Sequence, residues 1–325
     1  MVRGLAAWAA RLPAGMVGVI CGAGAALFWA AGLAAARHGI DIGLAPSDLV
    51  FHRCIWAGIA FLPAVIANRA ADLRGLGWGR GIVLTLAGGP ILSAFSYSGF
   101  LLVPLGHGGV IQPSCAALGG LALATLVLKE PMFAARALGA IAIVAGLVVI
   151  GFEALTSIGS HALWGDLSFA TAGFLFAAFG MMLKLWRIAP TRAVVVTGVL
   201  SLALIPVQWI FFGFERMIAV GLWANVVQLI FQGILSGAVS IFLFTRAVVL
   251  LGAARAAVFP ALVPPFTLLI GYLVLDVVPT VFQLIGLVMV LIGFRLTQKN
   301  LAALRLARNS PMRSSALRMF SVELA

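Results

Sequence analysis

The chain contains a series of apolar runs whose length fits a lipid bilayer, and these runs constrain its fold more than any other feature. A helix that crosses the hydrocarbon core needs about 20 predominantly apolar residues. The runs lie near residues 17–36, 48–67, 81–103, 108–128, 133–152, 163–184, 192–212, 223–246, 254–275 and 279–296. A transmembrane β-barrel would instead show alternating segments of about ten residues. The pattern therefore predicts an all-α polytopic membrane protein with ten transmembrane helices.

The composition also indicates a membrane protein, because 63% of the 325 residues are hydrophobic and only 9% are charged. A soluble domain has about 25% charged residues, so this chain has too few to cover a globular surface. The net charge of +12 would suggest nucleic acid in a soluble protein. Here the basic residues lie in short loops and in the tail, where lipid headgroups attract them. We therefore expect membrane lipid as a partner, and not nucleic acid.

The lysines and arginines predict the orientation of the chain in the membrane. Of these 21 residues, Arg37 and Arg216 lie in odd-numbered loops and Arg53 lies inside the second run. All the others lie in the terminal segments or in even-numbered loops. Because cytoplasmic loops are enriched in Lys and Arg, both termini are predicted to be cytoplasmic.

The two halves of the chain are related by an internal repeat with an offset of 147 residues. The matched positions share a residue type, and they are Ser93 and Ser240, Pro113 and Pro260, Gly139 and Gly286, and Gly146 and Gly293. Each half holds five runs, an odd number, so the second half must cross the membrane in the opposite direction. Loops at equivalent positions of the two halves accordingly differ in positive charge: where one loop carries several Lys or Arg residues, the equivalent loop carries one or none. The sequence therefore predicts two inverted five-helix repeats, an arrangement typical of transporters.

The sequence contains no motif for ATP hydrolysis, metal binding or catalysis. None of the three lysines follows a glycine, as a P-loop requires. The four histidines form no HExxH pair, and the serines have no adjacent base, so we expect neither an enzyme nor a cofactor or metal site. Cys21, Cys54 and Cys115 lie inside apolar runs without CxxC spacing, which indicates buried small side chains rather than disulfides.

Several features together resemble the drug/metabolite transporter superfamily, in its ten-helix EamA-type branch. The resemblance covers residues 17–296 and includes the five-plus-five repeat. The first helix of each half ends in a charged residue, Arg37 or Lys184, and the second helix has an early arginine, Arg53. The fourth helices contain Pro113 and Pro260, and the first of them ends in a Leu-Lys-Glu-Pro block at 128–131. The closing helices contain the glycine pairs Gly139 and Gly146, and Gly286 and Gly293. Asp276, where Glu is usual, and the Pro264-Pro265 pair are departures. The resemblance implies a multi-pass permease of the bacterial inner membrane that carries, and often exports, small metabolites.

The runs and the resemblance predict how the chain is organised. A cytoplasmic N-terminal segment is expected at 1–16, the first EamA-type five-helix repeat at 17–152 and a connecting loop at 153–162. The second EamA-type repeat follows at 163–296, and a basic cytoplasmic tail at 297–325. The first run is too long for the apolar part of a signal peptide, so we expect it to remain as an uncleaved helix.

A set of polar, aromatic and proline residues is predicted to line a central cavity that binds the substrate. Broken helices at matched places of two repeats mark binding sites, and prolines break helices. Polar residues four apart share a helix face, which gives polar stripes on the third and eighth runs. The predicted set is Trp29, Ser93, Ser96, Tyr97, Gln112, Pro113, Gln232, Ser236, Ser240, Pro260 and Tyr272. Packing kinks and hydrogen bonds between helices are the alternatives for these residues.

The ionisable residues near the helix ends are assigned structural roles. Arg53 lies inside the second run, and it is expected to pair with Asp41, Asp48 or Asp276, or to reach outward to the interface. A functional role is the alternative, because ionisable residues inside a membrane are functional candidates. Glu130 and Asp276 end equivalent helices and are expected to anchor the membrane interface or to pair with a cation, and gating or proton coupling is the alternative for both. No carboxylate lies in the middle of a run.

The sequence therefore predicts a secondary carrier that is not driven by ATP, an exporter of a small metabolite such as an amino acid or amine by alternating access. A flippase of a lipid-linked sugar or amine is the alternative, and it predicts a cavity open sideways to lipid. An intramembrane enzyme is the third hypothesis, and it needs Ser93 or Ser98 beside a histidine. The coupling ion is left open, and so is the choice between monomer and homodimer.

Overall fold

The fold is a bundle of apolar helices, and the computed structural model describes residues 13–68, 70–129, 132, 134–157, 159–251, 256 and 259–308 of it. These residues contain no β-strand. Seven of their helices are long and apolar enough to cross a membrane: α1 (Ala14–Asp41), α2 (Pro46–Ala67), α3 (Trp78–Gly99), α4 (Leu105–Leu126), α6 (His161–Leu185), α7 (Pro190–Phe211) and α8 (Gly221–Leu251). Shorter apolar segments belong to α5 (Ala134–Ser157), α9 (Phe259–Val274) and α10 (Val281–Arg308).

The helices begin and end where the sequence provides the appropriate residues. Helices α2 and α7 begin with Pro46 and Pro190, respectively. Proline is tolerated there because the backbone N–H groups of the first helical turn make no hydrogen bond within the helix. Helices α4 and α9 are followed by Lys129 and Asp276, which both have a positive φ, of 52° and 53°. These two residues are separated by the 147-residue offset. Equivalent helices of the two repeats are therefore both followed by a residue in the left-handed backbone conformation.

The last helices of the two repeats, α5 and α10, pack closely through glycines. A β-carbon added to Gly146 would lie 2.7 Å from the backbone oxygen of Gly286, and one added to Gly293 would lie 2.6 Å from that of Gly139. The earlier glycine of α5 thus faces the later glycine of α10, so the two helices run antiparallel. The offset of 147 residues relates Gly139 to Gly286 and Gly146 to Gly293, so it converts one of these contacts into the other. A twofold axis between the repeats produces such an exchange.

Another pair of equivalent helices, α4 and α9, shows the same relationship. Gly109 faces Thr267, and Gly271 faces Leu105, so these helices are also antiparallel. Equivalent helices of the two repeats therefore run in opposite directions, as inverted repeats require.

The repeats are interleaved rather than placed side by side. The first helix of each repeat packs antiparallel on the third helix of the other repeat. In the α1–α8 pair, Gly32 faces the Ser236 side chain, and in the α3–α6 pair, Gly99 faces the Phe169 ring. This interleaving places residues of both repeats around the centre of the bundle.

Helices α3 and α8 are irregular at equivalent positions. In α3 the backbone breaks at Gly89, with φ −115° and ψ −106°, immediately before Pro90. In α8 the stretch Leu229–Val239 is a π-helix, and the Ser240 N–H donates to the carbonyl of Leu235, five residues earlier. The offset places position 89 on position 236, inside this stretch. Irregular helix geometry of this kind is often found at functional sites.

The predicted proline breaks are found in one of the two runs: the ninth run is irregular at Pro260, whereas the fourth run is not interrupted at Pro113. Helix α4 continues through Pro113 from Leu105 to Leu126. In α9, Pro260 lies in a 3₁₀ turn that precedes the α-helical part, Val263–Val274. Pro264 and Pro265 occupy the first turn of that part, where a missing N–H costs nothing.

Several predictions fall at or beyond the limits of the described residues. Glu130, residues 1–12 and residues 309–325 lie outside them, so the roles proposed for Glu130, the N-terminal segment and the end of the tail remain predictions. Helix α10 continues to Arg308, beyond the predicted end of the tenth run at 296. The first part of the predicted tail is therefore helical.

Candidate functional site

A cavity of about 540 Å³ lies between the two repeats. Residues of α1, α2, α3 and α4 line it together with residues of α6, α8, α9 and α10. Small-molecule sites typically have volumes of about 300–1,000 Å³. The cavity therefore has the size of a metabolite site, and both repeats contribute to its wall.

The structure brings most of the predicted site residues together in this wall. Those that line the cavity are Trp29, Ser93, Ser96, Tyr97, Gln112, Pro113, Gln232, Ser236 and Pro260. They come from five helices, three in the first repeat and two in the second. Their role in binding a substrate remains a proposal.

Ser240 and Tyr272 do not line the cavity. Ser240 is buried and donates its hydroxyl to the carbonyl of Ser236, at 2.6 Å. This hydrogen bond to the backbone of its own helix leaves the Ser240 side chain away from the cavity. Tyr272 is 52% exposed, because its neighbour Gly271 faces α4 and consecutive helical residues point about 100° apart.

A chain of buried hydrogen bonds joins three helices in the cavity wall. The Tyr97 hydroxyl donates to Gln232 Oε1 at 2.9 Å, and Gln232 Nε2 donates to the carbonyl oxygen of Gly32 at 2.8 Å. The Tyr97 and Gln232 residues are only 3% and 0% exposed. These hydrogen bonds therefore connect α1 and α3 of the first repeat to α8 of the second, and their polar atoms are already used.

Arg53 and Gln112 are the polar residues of the middle of the cavity that remain partly exposed. Arg53 Nη1 donates to the Ser236 hydroxyl at 2.9 Å. Gln112 Oε1 accepts a hydrogen bond of 2.6 Å from the Ser96 hydroxyl. These two side chains are therefore less buried than the serines of the cavity wall.

The structure does not support the ion pair of Arg53 with Asp41 or Asp48. Asp48 is bound to Arg216 instead, with 2.8 Å between Oδ2 and Nε, and Asp41 is bound to Arg37, at 2.7 Å. Among the described residues, no carboxylate lies within ion-pair distance of Arg53. Its position inside an apolar run was the available signal, because ionisable residues inside the membrane are functional candidates by default.

The cavity extends toward the end of the bundle that carries the even-numbered loops. Ala124, Leu128 and Lys184 line it there, at the C-terminal ends of α4 and α6. At the opposite end, polar pairs join the first repeat to the second, and they are Asp48–Arg216, His52–Asn225 and His107–Asp166. The cavity thus approaches one end of the molecule, while polar contacts hold the repeats together at the other.

The Asp48–Arg216 pair is the most extensive of these contacts. Asp48 is fully buried, and it also accepts hydrogen bonds from Gln208 Nε2, at 3.0 Å, and from the Ala45 N–H, at 2.9 Å. Its hydrogen bond raises the pKa of Arg216 above the ordinary arginine value. The guanidinium therefore stays protonated throughout the pH range of ordinary assays.

The apolar wall of the cavity was not predicted from the sequence. It includes Leu33, Phe176, Met181, Phe244 and Phe294. Apolar side chains that face a cavity, a neighbouring helix or lipid are alike in sequence, so only the three-dimensional arrangement separates them.

The described residues show no arrangement for metal or nucleophilic chemistry. They contain no group of three or more His, Cys, Asp and Glu side chains that could hold a metal ion. His52 contacts Trp56 and Asn225, and His107 contacts Asp166. In this part of the chain, neither Ser93 nor Ser98 is hydrogen-bonded to a histidine.

Two repeats of opposite direction around a shared, solute-sized cavity define a multi-pass membrane transporter. The chain belongs to the EamA-like transporter family, whose model matches residues 16–152 and 163–297. This match confirms the resemblance to the drug/metabolite transporter superfamily. A solved structure titled "Crystal structure of protein" has a similar fold, with a TM-score of 0.58 and 21% identity over 89% of this chain and 98% of that chain. No curated protein sequence matches the chain.

Proposed function

We propose that the protein is a secondary carrier that exports a small metabolite, such as an amino acid, across the bacterial inner membrane. In this proposal ten helices cross the membrane as two inverted repeats, at 17–152 and 163–296, and both termini are cytoplasmic. The observation that supports it best is the cavity of about 540 Å³ between the repeats. Its approach to the end with the positively charged even-numbered loops corresponds to a state open toward the cytoplasm.

The mechanism that fits this geometry is alternating access. Equivalent positions of the two repeats have different shapes, since α3 is broken at Gly89 while α8 is π-helical around Ser236. If the repeats exchange these shapes, the twofold relationship inverts the cavity and opens it to the other side. The Tyr97–Gln232 hydrogen bond and the polar pairs at the far end break during this exchange.

Counterflow in proteoliposomes tests the proposal. Vesicles with purified protein are loaded with one unlabelled solute from a panel of amino acids, organic acids and amines, and uptake of the labelled solute is compared with that of protein-free vesicles. We expect counterflow of at least one solute, and its loss in the Tyr97→Ala, Gln232→Ala double variant. Equal flux in wild type and double variant contradicts the assignment of the cavity. Movement of a fluorescent lipid between leaflets without solute flux favours the flippase hypothesis instead.

A further inference from the structure

We propose that Arg53 binds the carboxylate of the transported solute, and that this solute is an organic acid with an apolar body. The inference rests on the proposed role of the cavity as the transport site, and it goes further by naming a class of solute. Under this inference, organic acids take the place of amines among the solutes that we expect the protein to carry.

The partners of Arg53 are neutral hydroxyl groups, which leave donors of its guanidinium for a ligand. A guanidinium carries five N–H donors. Arg53 donates through Nη1 to the hydroxyl of Ser236, at 2.9 Å, and it also interacts with the hydroxyl of Tyr97. The part of the chain that the structure describes places no carboxylate at ion-pair distance from it. Because a charge inside a membrane protein is costly without a partner, a carboxylate that enters the cavity gains a bidentate, charge-assisted contact.

The second partly exposed polar side chain also favours an anion. Ser96 donates to Gln112 Oε1 at 2.6 Å, which uses one of the two lone pairs of that oxygen, and the N–H groups form the other end of the amide. Arg53 and Gln112 therefore both present hydrogen-bond donors. An anion accepts from both, whereas an ammonium group has only donors of its own to offer.

The charges along the cavity have one sign in the described part of the chain. Arg53 is the charged residue on the α2 side of the wall, and no aspartate or glutamate is found among the described lining residues. A protonated amine would thus be buried without a counter-charge. The aromatic rings of Trp29 and Phe244, with centroids 5.5 Å apart, attract cations in principle, but the charge of Arg53 opposes this.

The rest of the wall fits the apolar body of such an acid. Leu33, Phe176, Met181 and Phe294 are lining residues, and Trp29 and Phe244 add flat aromatic surface. A small acid with an aromatic or branched aliphatic group fills this wall and places its carboxylate at Arg53.

Three compounds with the same phenylethyl body test the inference: 3-phenylpropionate, phenylalanine and phenethylamine. They carry a negative, a zwitterionic and a positive head group at neutral pH. Binding is measured as the increase in melting temperature of the purified protein in detergent, because bound ligand stabilises the native state. We expect the largest increase with 3-phenylpropionate, a smaller one with phenylalanine and none with phenethylamine.

Variants of Arg53 separate its role from general stability. Arg53→Gln is expected to weaken binding of 3-phenylpropionate by roughly 10- to 100-fold, the loss typical for a hydrogen bond to a charged group. Arg53→Lys keeps the charge but loses the bidentate geometry, so it should retain part of the affinity. Arg80→Gln is the matched control, since Arg80 is exposed and stacks on the Trp186 ring at 5.6 Å. Phenethylamine should bind better to Arg53→Gln than to wild type, a gain that misfolding cannot produce.

The possible results distinguish this inference from the proposed function. Equal stabilisation by all three compounds, unchanged in Arg53→Gln, overturns the inference, and so does an absence of stabilisation by any of them. In both cases the carrier assignment is decided independently by counterflow. Counterflow of amines but not of acids would overturn the inference while it supports the carrier.

Discussion

The Tyr97 hydroxyl and the Gln232 amide are hydrogen-bonded at 2.9 Å across the junction of the two repeats. Tyr97 belongs to α3 and Gln232 to the π-helical stretch of α8, which are equivalent and irregular elements of the two repeats. Both side chains are buried, so this contact must break if the repeats move apart at the cavity.

Tyr97→Phe is expected to shift the protein toward the state open at the far end. The change removes a buried hydrogen bond worth about 1 kcal/mol, which corresponds to about a fivefold change in the ratio of the two states. The measurement is the distance distribution between spin labels on the loops after α1 and α7. The chain has two tyrosines, and Tyr272→Phe is the matched control because that side chain is exposed. An identical shift in both variants would contradict the gating role.

Gly146→Ala is expected to destabilise the pairing of α5 and α10. The added methyl group would lie 2.7 Å from the backbone oxygen of Gly286, and a backbone atom cannot move aside without separating the helices. Overpacking of this kind costs about 1–3 kcal/mol, and thermal unfolding in detergent measures it.

Gly79→Ala is the control for this prediction, because an added methyl group there meets no atom within 4 Å. Alanine is also favoured over glycine in helices by up to about 1 kcal/mol. The control should therefore be neutral or stabilising. A melting temperature lowered equally in both variants would argue against close packing of α5 on α10.

The Asp48–Arg216 pair should behave asymmetrically in a double-mutant cycle. Arg216→Ala leaves the buried carboxylate with neutral partners, so it should lower the melting temperature more than Asp48→Asn does. The double variant should be more stable than Arg216→Ala alone, because no buried charge remains. Additive effects in thermal unfolding would show that the two side chains are not coupled.

The same pair predicts how transport depends on pH. The pKa of Arg216 in the folded protein is raised above the ordinary arginine value. The stabilising contribution of Arg216 is therefore fully present at any pH below that ordinary value, and it is lost only as the pH rises through the raised pKa. Between about pH 6 and 9 this residue should therefore contribute no pH dependence. Counterflow profiles of wild type and Arg216→Lys should have the same shape in this range. A wild-type change that Arg216→Lys removes would contradict this view.

The features of the fold that depend on periodicity and spacing could be predicted from the sequence. The matches of Gly139 with Gly286 and of Gly146 with Gly293 identified the repeat, and the same four residues form the α5–α10 contact. Glycine at a close helix–helix contact has a local steric cause, so it can be recognised in the sequence. Tyr97, Gln112 and Gln232 could be placed at the cavity because polar side chains in apolar helices seek a shared polar region.

The features that depend on tertiary partners could not be predicted. The assignment of Arg53 to an ion pair failed because Asp48 has Arg216 and Gln208 beside it, residues about 160 positions away in sequence. Ser240 was misplaced because its hydroxyl donates to the Ser236 carbonyl of its own helix, a backbone partner that the spacing of polar residues does not specify. The break at Gly89 was not predicted, because the apolar run 81–103 continues through it and the Pro90 that follows begins a new helical segment.

The most direct test of the account is whether one cavity residue can be reached from both sides of the membrane. Ala117 lines the cavity, and Ala117→Cys is introduced after the three free cysteines, Cys21, Cys54 and Cys115, are replaced. A membrane-impermeant maleimide is then applied to right-side-out and to inside-out vesicles. Alternating access predicts alkylation from both faces, with a rate at the outer face that Tyr97→Phe increases. Alkylation from only one face, unchanged by Tyr97→Phe, would contradict the account.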